Sequence, residues 1–404
     1  ENYQGYGPGG GVGGYNKHGS GGGYGGRGSW SYPTLGTEGG AVYATAAEPL
    51  PPGSGGGSRQ DVKAYGGHGG GAVRIDASGD VRIDGTIRAD GTQGAYYSGG
   101  GSGGGLWISC RRFDGNGTLR ANGGPRANNG GPGGGGRIAL HYDELIGSPG
   151  IRMEVRNGEN QVPYWHNDWL RWPQYWAAEA GTVHLSDSGL LGPVLTNLYG
   201  RLAIPGFASW SPPSLTVAND AWIQFAPDFH LEVQDTMDIQ SGGTLELMDG
   251  GLLTCGGVLK VDGGNLVMNT MTQMTCQADL VVTNGGRVYV YSAATNGTAP
   301  QGASVDVVGD LRIGPNSWIH PDACITNGGP VRFCARRVLV AENGGFDADH
   351  RGFGGPYEPI RANGYGPGAG VRVGYGSGAG HGGRGGDAHT SDWDAPGGPV
   401  YGNP

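Results

Sequence analysis

The chain has 404 residues, 90 of them glycine, and a formal net charge of −9 with 15% charged residues. The acidic balance speaks against nucleic acid as a partner, and no run of 18 apolar residues is present to cross a membrane. Glycine stands at about three times its usual share and is costly to order, yet 36% hydrophobic and 9% aromatic residues exclude the composition of a disordered chain.

Residues 1–72 are Gly-rich with isolated aromatics and almost no hydrophobic periodicity. A stretch such as Gly9-Gly-Gly-Val-Gly-Gly-Tyr15 suits neither a helix nor a packed strand. The expected form is polyproline II-like, with neighbouring extended chains brought close because glycine has no side chain. A flexible linker is the plainer alternative, but Tyr, Trp and His recur where a linker would carry Ser.

Residues 73–150 alternate. Val73–Ile75, Val81–Ile83 and Ile87–Ala89 read as short strands parted by Asp/Ser/Gly turns. A phrase then recurs, as Ile87-Arg-Ala-Asp-Gly91, Leu119-Arg-Ala-Asn-Gly123 and Ile360-Arg-Ala-Asn-Gly364, each followed by a glycine run. The pattern predicts coils of a parallel β-helix from which glycine loops project at one corner.

Residues 151–212 break this pattern and read as an aromatic-rich insertion, helical or irregular, around Tyr164, Trp165, Trp169, Trp172, Tyr175 and Trp176. Residues 213–345 return to short strands at about 7–10-residue spacing, several opening on Gly-Gly at 242–243, 250–251, 256–257, 263–264 and 285–286. Three strands per coil gives a repeat of about 20–25 residues, within the solenoid range. A β-sandwich is the rival.

Residues 346–404 repeat the start. Gly5-Tyr-Gly-Pro-Gly9, Tyr24-Gly-Gly-Arg-Gly28 and Gly39-Gly-Ala-Val-Tyr43 reappear as Gly364-Tyr-Gly-Pro-Gly368, His381-Gly-Gly-Arg-Gly385 and Gly397-Gly-Pro-Val-Tyr401, 357 to 359 positions on. An assembly has a use for such a duplication. Either the chain is one period of a longer tandem array plus overlap, or the end of one subunit stands in for the start of the next. Glu1 is then a plausible start of a processed chain or excised segment. Tyr365, Tyr375, Arg384 and Trp393, with Tyr6, Tyr24 and Arg27 in the first copy, are the expected interface anchors.

Chemistry finds less support. The acidic group Asp228, His230, Glu232, Asp235 and Asp238 alternates with Leu231 and Val233, as a solvated outer face would. Asp347, Asp349, His350 and Glu358 could hold a metal, but no Ca²⁺-loop signature follows. No nucleotide or nucleophile motif has its required context, so no catalytic residue and no cofactor is expected. Trp165, Trp169, Trp172 and Trp176 read as the core of the insertion, a subunit contact or a glycan platform, with extracellular polysaccharide as the second possible partner. Asn116-Gly-Thr and Asn296-Gly-Thr are glycosylation sequons. Of five cysteines, an odd count, Cys255 and Cys276 lie about one coil apart, and Cys324 and Cys334 are close enough to bridge a loop.

The blocks Gly53-Ser-Gly-Gly-Gly57, Gly69-Gly-Gly-Ala-Val-Arg-Ile75, Asp84-Gly-Thr-Ile-Arg-Ala-Asp-Gly91, Gly99-Gly-Gly-Ser-Gly-Gly-Gly-Leu-Trp-Ile108 and Gly133-Gly-Gly-Gly-Arg-Ile138 resemble very large secreted, Gly-rich β-helical repeat proteins of environmental bacteria. The Gly-rich parts also look like the poly-Gly helix bundles of some receptor ectodomains. The resemblance covers about half the chain and implies an extracellular surface or matrix role. The expectation is an all-β, parallel β-helical protein of the cell surface or exterior that polymerises end to end. A β-helical polysaccharide-active enzyme or a glycan-binding adhesin is the alternative.

Overall fold

The computed structural model describes residues 3–31, 37–61, 63–158, 177–294, 302–353, 363–373, 375–389 and 394–401. Among them the chain is all-β, without helices. Nearly all strands pair in parallel, in a 14-stranded and an 11-stranded sheet, one of them strongly curled. Only the two short ladders near the C-terminal end are antiparallel.

The most regular stretch shows why these residues stack. Met237–Gln240, Thr244–Leu247 and Leu252–Cys255 are followed by Leu259–Asp262, Asn265–Met268 and Gln273–Cys276, each strand pairing with its equivalent 21 or 22 positions later. Like residues therefore meet like. Met237, Leu259, Leu280 and Leu311 form one inward column, and Leu245, Leu266, Val288 and Ile319 another. All are buried in one continuous core. Alternate residues point out, so His230 and Glu232 are exposed while Leu231 and Val233 are buried.

The turns that lead into successive strands of the larger sheet are built the same way. Asp220, Gly242, Gly263, Gly285, Asn316 and Asn343 all have positive φ, and each lies two residues ahead of a strand. Asn, Asp and Gly are the residues that tolerate this backbone. At the Gly-Gly corners the second glycine serves another need. A Cβ on Gly243 would come 2.3 Å from the Val217 carbonyl oxygen, and one on Gly286 would come 2.2 Å from that of Val261.

Three readings change in detail. Val73–Ile75 and Val81–Ile83 belong almost wholly to a single strand, Ala72–Arg82; Ser78 and Gly79 form a bulge in it, not a turn. Val305–Val307 and Leu311–Ile313 fuse likewise into Ala303–Ile313. Residues 151–212 supply the strands Arg152–Glu154, Thr182–Leu185, Val194–Leu195, Leu198–Ala203 and Ser209–Trp210 to the same two sheets. The cluster Trp165, Trp169, Trp172 and Trp176 lies outside the described residues.

Candidate functional site

The glycine runs between the strands gather with residues 3–31 and 37–43 into one hydrogen-bonded lattice. Segment 98–105 runs through its middle. Gly99 and Ser102 donate their N–H groups to the carbonyls of Gly57 and Ser54, Gly100 and Gly103 to Gly131 and Gly134, and Gly101 and Gly104 to Thr92 and Ala89. Its carbonyls accept from Gly67 and Gly70, from Gly22, and from Gly124. The direction of bonding repeats every third residue, unlike the two-residue alternation of a strand. Six segments surround this one.

Such spacing leaves no room for side chains. A Cβ on Gly101 would lie 2.1 Å from the His68 carbonyl oxygen, and one on Gly21 would lie 1.7 Å from that of Pro132. Buried serines pair further polar groups of the lattice, since unpaired buried polar groups are costly. The Ser54 hydroxyl accepts from the Gly9 N–H at 3.0 Å and donates to the Tyr43 hydroxyl, and the Ser102 hydroxyl accepts from the Ser54 N–H. Tyr24 packs on Tyr43 at 4.7 Å between ring centres, and burial raises its hydroxyl pKa. Arg137, buried nearby, donates to the Tyr43 carbonyl.

The two ends of the chain share one hydrogen-bond pattern. Nine backbone bonds recur in both copies. Among them, Gly5→Gly11 becomes Gly364→Gly370, Ser20→Val12 becomes Ser377→Val371, Gly28→Gly40 becomes Gly385→Gly398, and Tyr43→Tyr24 becomes Tyr401→His381, each written N–H to carbonyl. Ser20 and Ser377 each accept from the N–H of Val12 or Val371 and donate to the chain 18 or 19 positions on, at Glu38 or Pro396. The ring pair is kept too, with His381 on Tyr401 at 4.5 Å.

The surroundings differ. In the first copy Gly22, Gly25, Gly26 and Ser29 donate to Gly100, Gly135 and Pro132, and the Arg27 carbonyl accepts from Glu179. The Arg27 N–H donates to the Glu179 carboxylate, which Arg201 also holds at 2.7 Å. Burial would raise the Glu179 pKa, but these cationic and N–H partners bring it below its ordinary value. The equivalent residues Ala379, Gly382, Gly383, Arg384 and Gly386 are exposed. Added Cβ atoms on Gly382, Gly383 and Gly386 would meet nothing within 4 Å. One face of the second copy is thus open where the first is seated.

Of the expected anchors, Tyr24 is buried and Arg27 half-buried in the lattice, whereas Tyr6 is 95% exposed and touches little. Tyr365 is exposed, and Arg384 pairs with Asp387 at 2.9 Å. Tyr375 lies in a two-residue strand, and Trp393 falls outside the described residues. Ser20 and Ser377 also join the repeat, 357 positions apart like Arg27 and Arg384, and that shared offset is their signal in the sequence.

The acidic candidates resolve into ordinary contacts. Asp347 lies 3.2 Å from His320 Nδ1, accepts from the Asp349 N–H, and lies 3.5 Å from Arg351, which holds Asp322 at 2.6 Å. Glu358 lies outside the described residues, among which no group of three or more His, Cys, Asp or Glu side chains is placed to hold a metal. Glu246 is a buried carboxylate whose pKa burial raises, against a 2.8 Å bond from Asn269. The five cysteines are free thiols; Cys255 faces Cys276 across adjacent strands.

No known family, curated protein or solved structure matches this chain.

Proposed function

We propose that this chain is a non-catalytic, extracellular structural protein that assembles head to tail into a filament or matrix fibre. In this reading the two parallel sheets are faces of a parallel β-helix, and the lattice is a bundle of polyproline II-like segments, which take three residues per turn and make no internal hydrogen bonds. The terminal Gly-rich modules join successive copies.

One observation carries the proposal: residues 364–401 reproduce the backbone bonds of residues 5–43, yet leave open the face by which the first copy is seated. A contact between unlike ends is heterologous and propagates unless its rotation closes a ring. The three-residue repeat of bonding directions supports the polyproline II part, and the 21- or 22-residue register supports the solenoid part.

The test is removal of residues 363–404, followed by electron microscopy and sedimentation of the purified protein. The truncated chain should stay folded and sediment as a single copy where the full chain forms filaments. Filaments of normal length from the truncated chain would overturn the proposal.

A further inference from the structure

Among the terminal strands of the two sheets, the two long ones each have one free edge among the described residues. Ala72–Arg82 pairs only with Gly105–Asp114, and Val331–Val340 only with Ala303–Ile313. The core is uncovered at both. Val338 and Val340 are 51% and 50% exposed, though their register partners Leu311 and Ile313 are buried. At the other end Val73, Ile75, Ala77 and Val81 are only partly buried against the core. Solenoids normally cap such ends, and a free edge is a template for another strand.

The two edges match in sequence and in shape. Val331-Arg-Phe-Cys-Ala335 can be laid on Val73-Arg-Ile-Asp-Ala77, with core-facing residues on core-facing residues. Ala72–Arg82 carries one extra residue between Ala77 and Asp80 relative to its straight partner, as Ala303–Ile313 does between Val307 and Asp310. Val331–Val340 is a straight strand of the kind each bulged strand already pairs with. Charge runs the same way. Asp80 faces Arg112 at 2.6 Å and Asp310 faces Arg337 at 2.7 Å, so an arginine opposite the post-bulge aspartate is already used twice. Val331–Val340 carries Arg332, Arg336 and Arg337 and no acid.

We propose that Val331–Val340 of one copy pairs in parallel with Ala72–Arg82 of a second copy, Val331 opposite Val73 and Arg337 opposite Asp80, closing the open core at each junction. Phe346, in the short strand Gly345–Phe346, then lies against Ile87 of Thr86–Arg88. The like-charge pair this creates, Arg332 with Arg74, is relieved because Arg74 stacks over Trp107 at 4.5 Å and Arg332 lies 3.7 Å from Asp306 of its own copy. The inference rests on the head-to-tail reading and adds to it a register. The order along the chain agrees: the module after Val331–Val340 is the copy of the module before Ala72–Arg82.

The register can be trapped. It sets Cys334, an outward-facing thiol, opposite Asp76. Neighbouring strands lie about 4.8 Å apart, inside the Cα separation of about 4.4–6.8 Å that a disulfide bridges. The full-length Asp76→Cys variant, mildly oxidised under assembly conditions, should give a ladder of covalent oligomers on a non-reducing gel. The ladder should vanish in Asp76→Cys/Cys334→Ser and fall at least about tenfold when the cysteine is placed off register, in Arg82→Cys. Filaments by microscopy without a ladder, or a ladder that survives Cys334→Ser, would overturn the register and leave head-to-tail assembly standing. Single copies by sedimentation and no ladder would overturn both. Val338→Asp is a second variant at an already exposed position. It should leave the thermal midpoint of the single copy unchanged and cut the sedimenting fraction at least about tenfold; an unchanged fraction would refute the edge pairing.

Discussion

Gly25 and Gly382 occupy equivalent positions in the two terminal modules, and alanine at each should act on a different equilibrium. At Gly25 the new Cβ would lie 1.9 Å from the Gly136 carbonyl oxygen. Restoring an ordinary contact needs a shift of about 1.5 Å. That shift breaks the bonds from the Gly25 and Gly26 N–H groups to Gly135, at 3.0 and 2.9 Å. Two buried groups left unpaired cost about 1–3 kcal/mol each, against a gain of at most about 1 kcal/mol from restricting the unfolded chain. Gly25→Ala should therefore destabilise the protein by about 1–5 kcal/mol. Gly382→Ala meets nothing within 4 Å, so the isolated chain should be as stable as wild type or up to about 1 kcal/mol more stable. If the second module seats in a second copy in place of that copy's own first module, the same methyl then collides, and assembly should be lost. Urea unfolding of unassembled protein measures the first effect, and sedimentation under assembly conditions the second. Gly25→Ala within about 0.5 kcal/mol of wild type would refute the packing argument. Gly382→Ala filaments at wild-type yield would refute the seating argument.

Two further outcomes follow from the rungs. Leu247, wholly buried, should cost about 2–5 kcal/mol when changed to alanine; a urea-derived loss under about 0.5 kcal/mol would count against its inward register. Asp310 is enclosed by Arg337, Arg336 and Arg312, and its bonds to Arg337 first, then Arg336, hold its carboxyl well below the usual carboxylate range despite the opposing pull of burial. A depressed folded pKa stabilises the protein above the ordinary value of about 3.9, and that contribution fades as pH falls below it. Wild type should thus lose stability between about pH 4 and pH 2 more steeply than Asp310→Asn, as read from thermal midpoints; parallel curves would refute the assignment.

Much of the ladder was legible because Leu, Val and Ile recur at alternate positions and because a rung must turn at fixed places. The Gly-Gly pairs at 242–243, 263–264 and 285–286 marked corners that need one left-handed residue and one without a side chain. Ser78-Gly79 carried the same composition as a turn, and only pairing with Gly105–Asp114 distinguishes a bulge from a turn. Val331–Val340 was hard to see because Arg332, Arg336 and Arg337 interrupt its apolar pattern; their partners are Asp306 for Arg332 and Asp310 for Arg336 and Arg337, over 20 residues earlier. In the lattice the limit is more basic. Close packing could be read from glycine content, but the partner of each segment could not, since a glycine offers no side chain to specify a neighbour.

The two halves of the fold should also answer differently to temperature. The rungs bury Leu, Val, Ile and Met, so unfolding them exposes apolar surface and raises the heat capacity. The lattice buries mostly peptide groups, whose exposure lowers it. Hydrophobic stabilisation weakens on cooling, and a region held by hydrogen bonds with little apolar surface has no such loss to suffer. On cooling, the rungs give up stability first while the glycine-rich segments keep theirs, which makes the part with the fewest side chains the cold-tolerant part of the molecule.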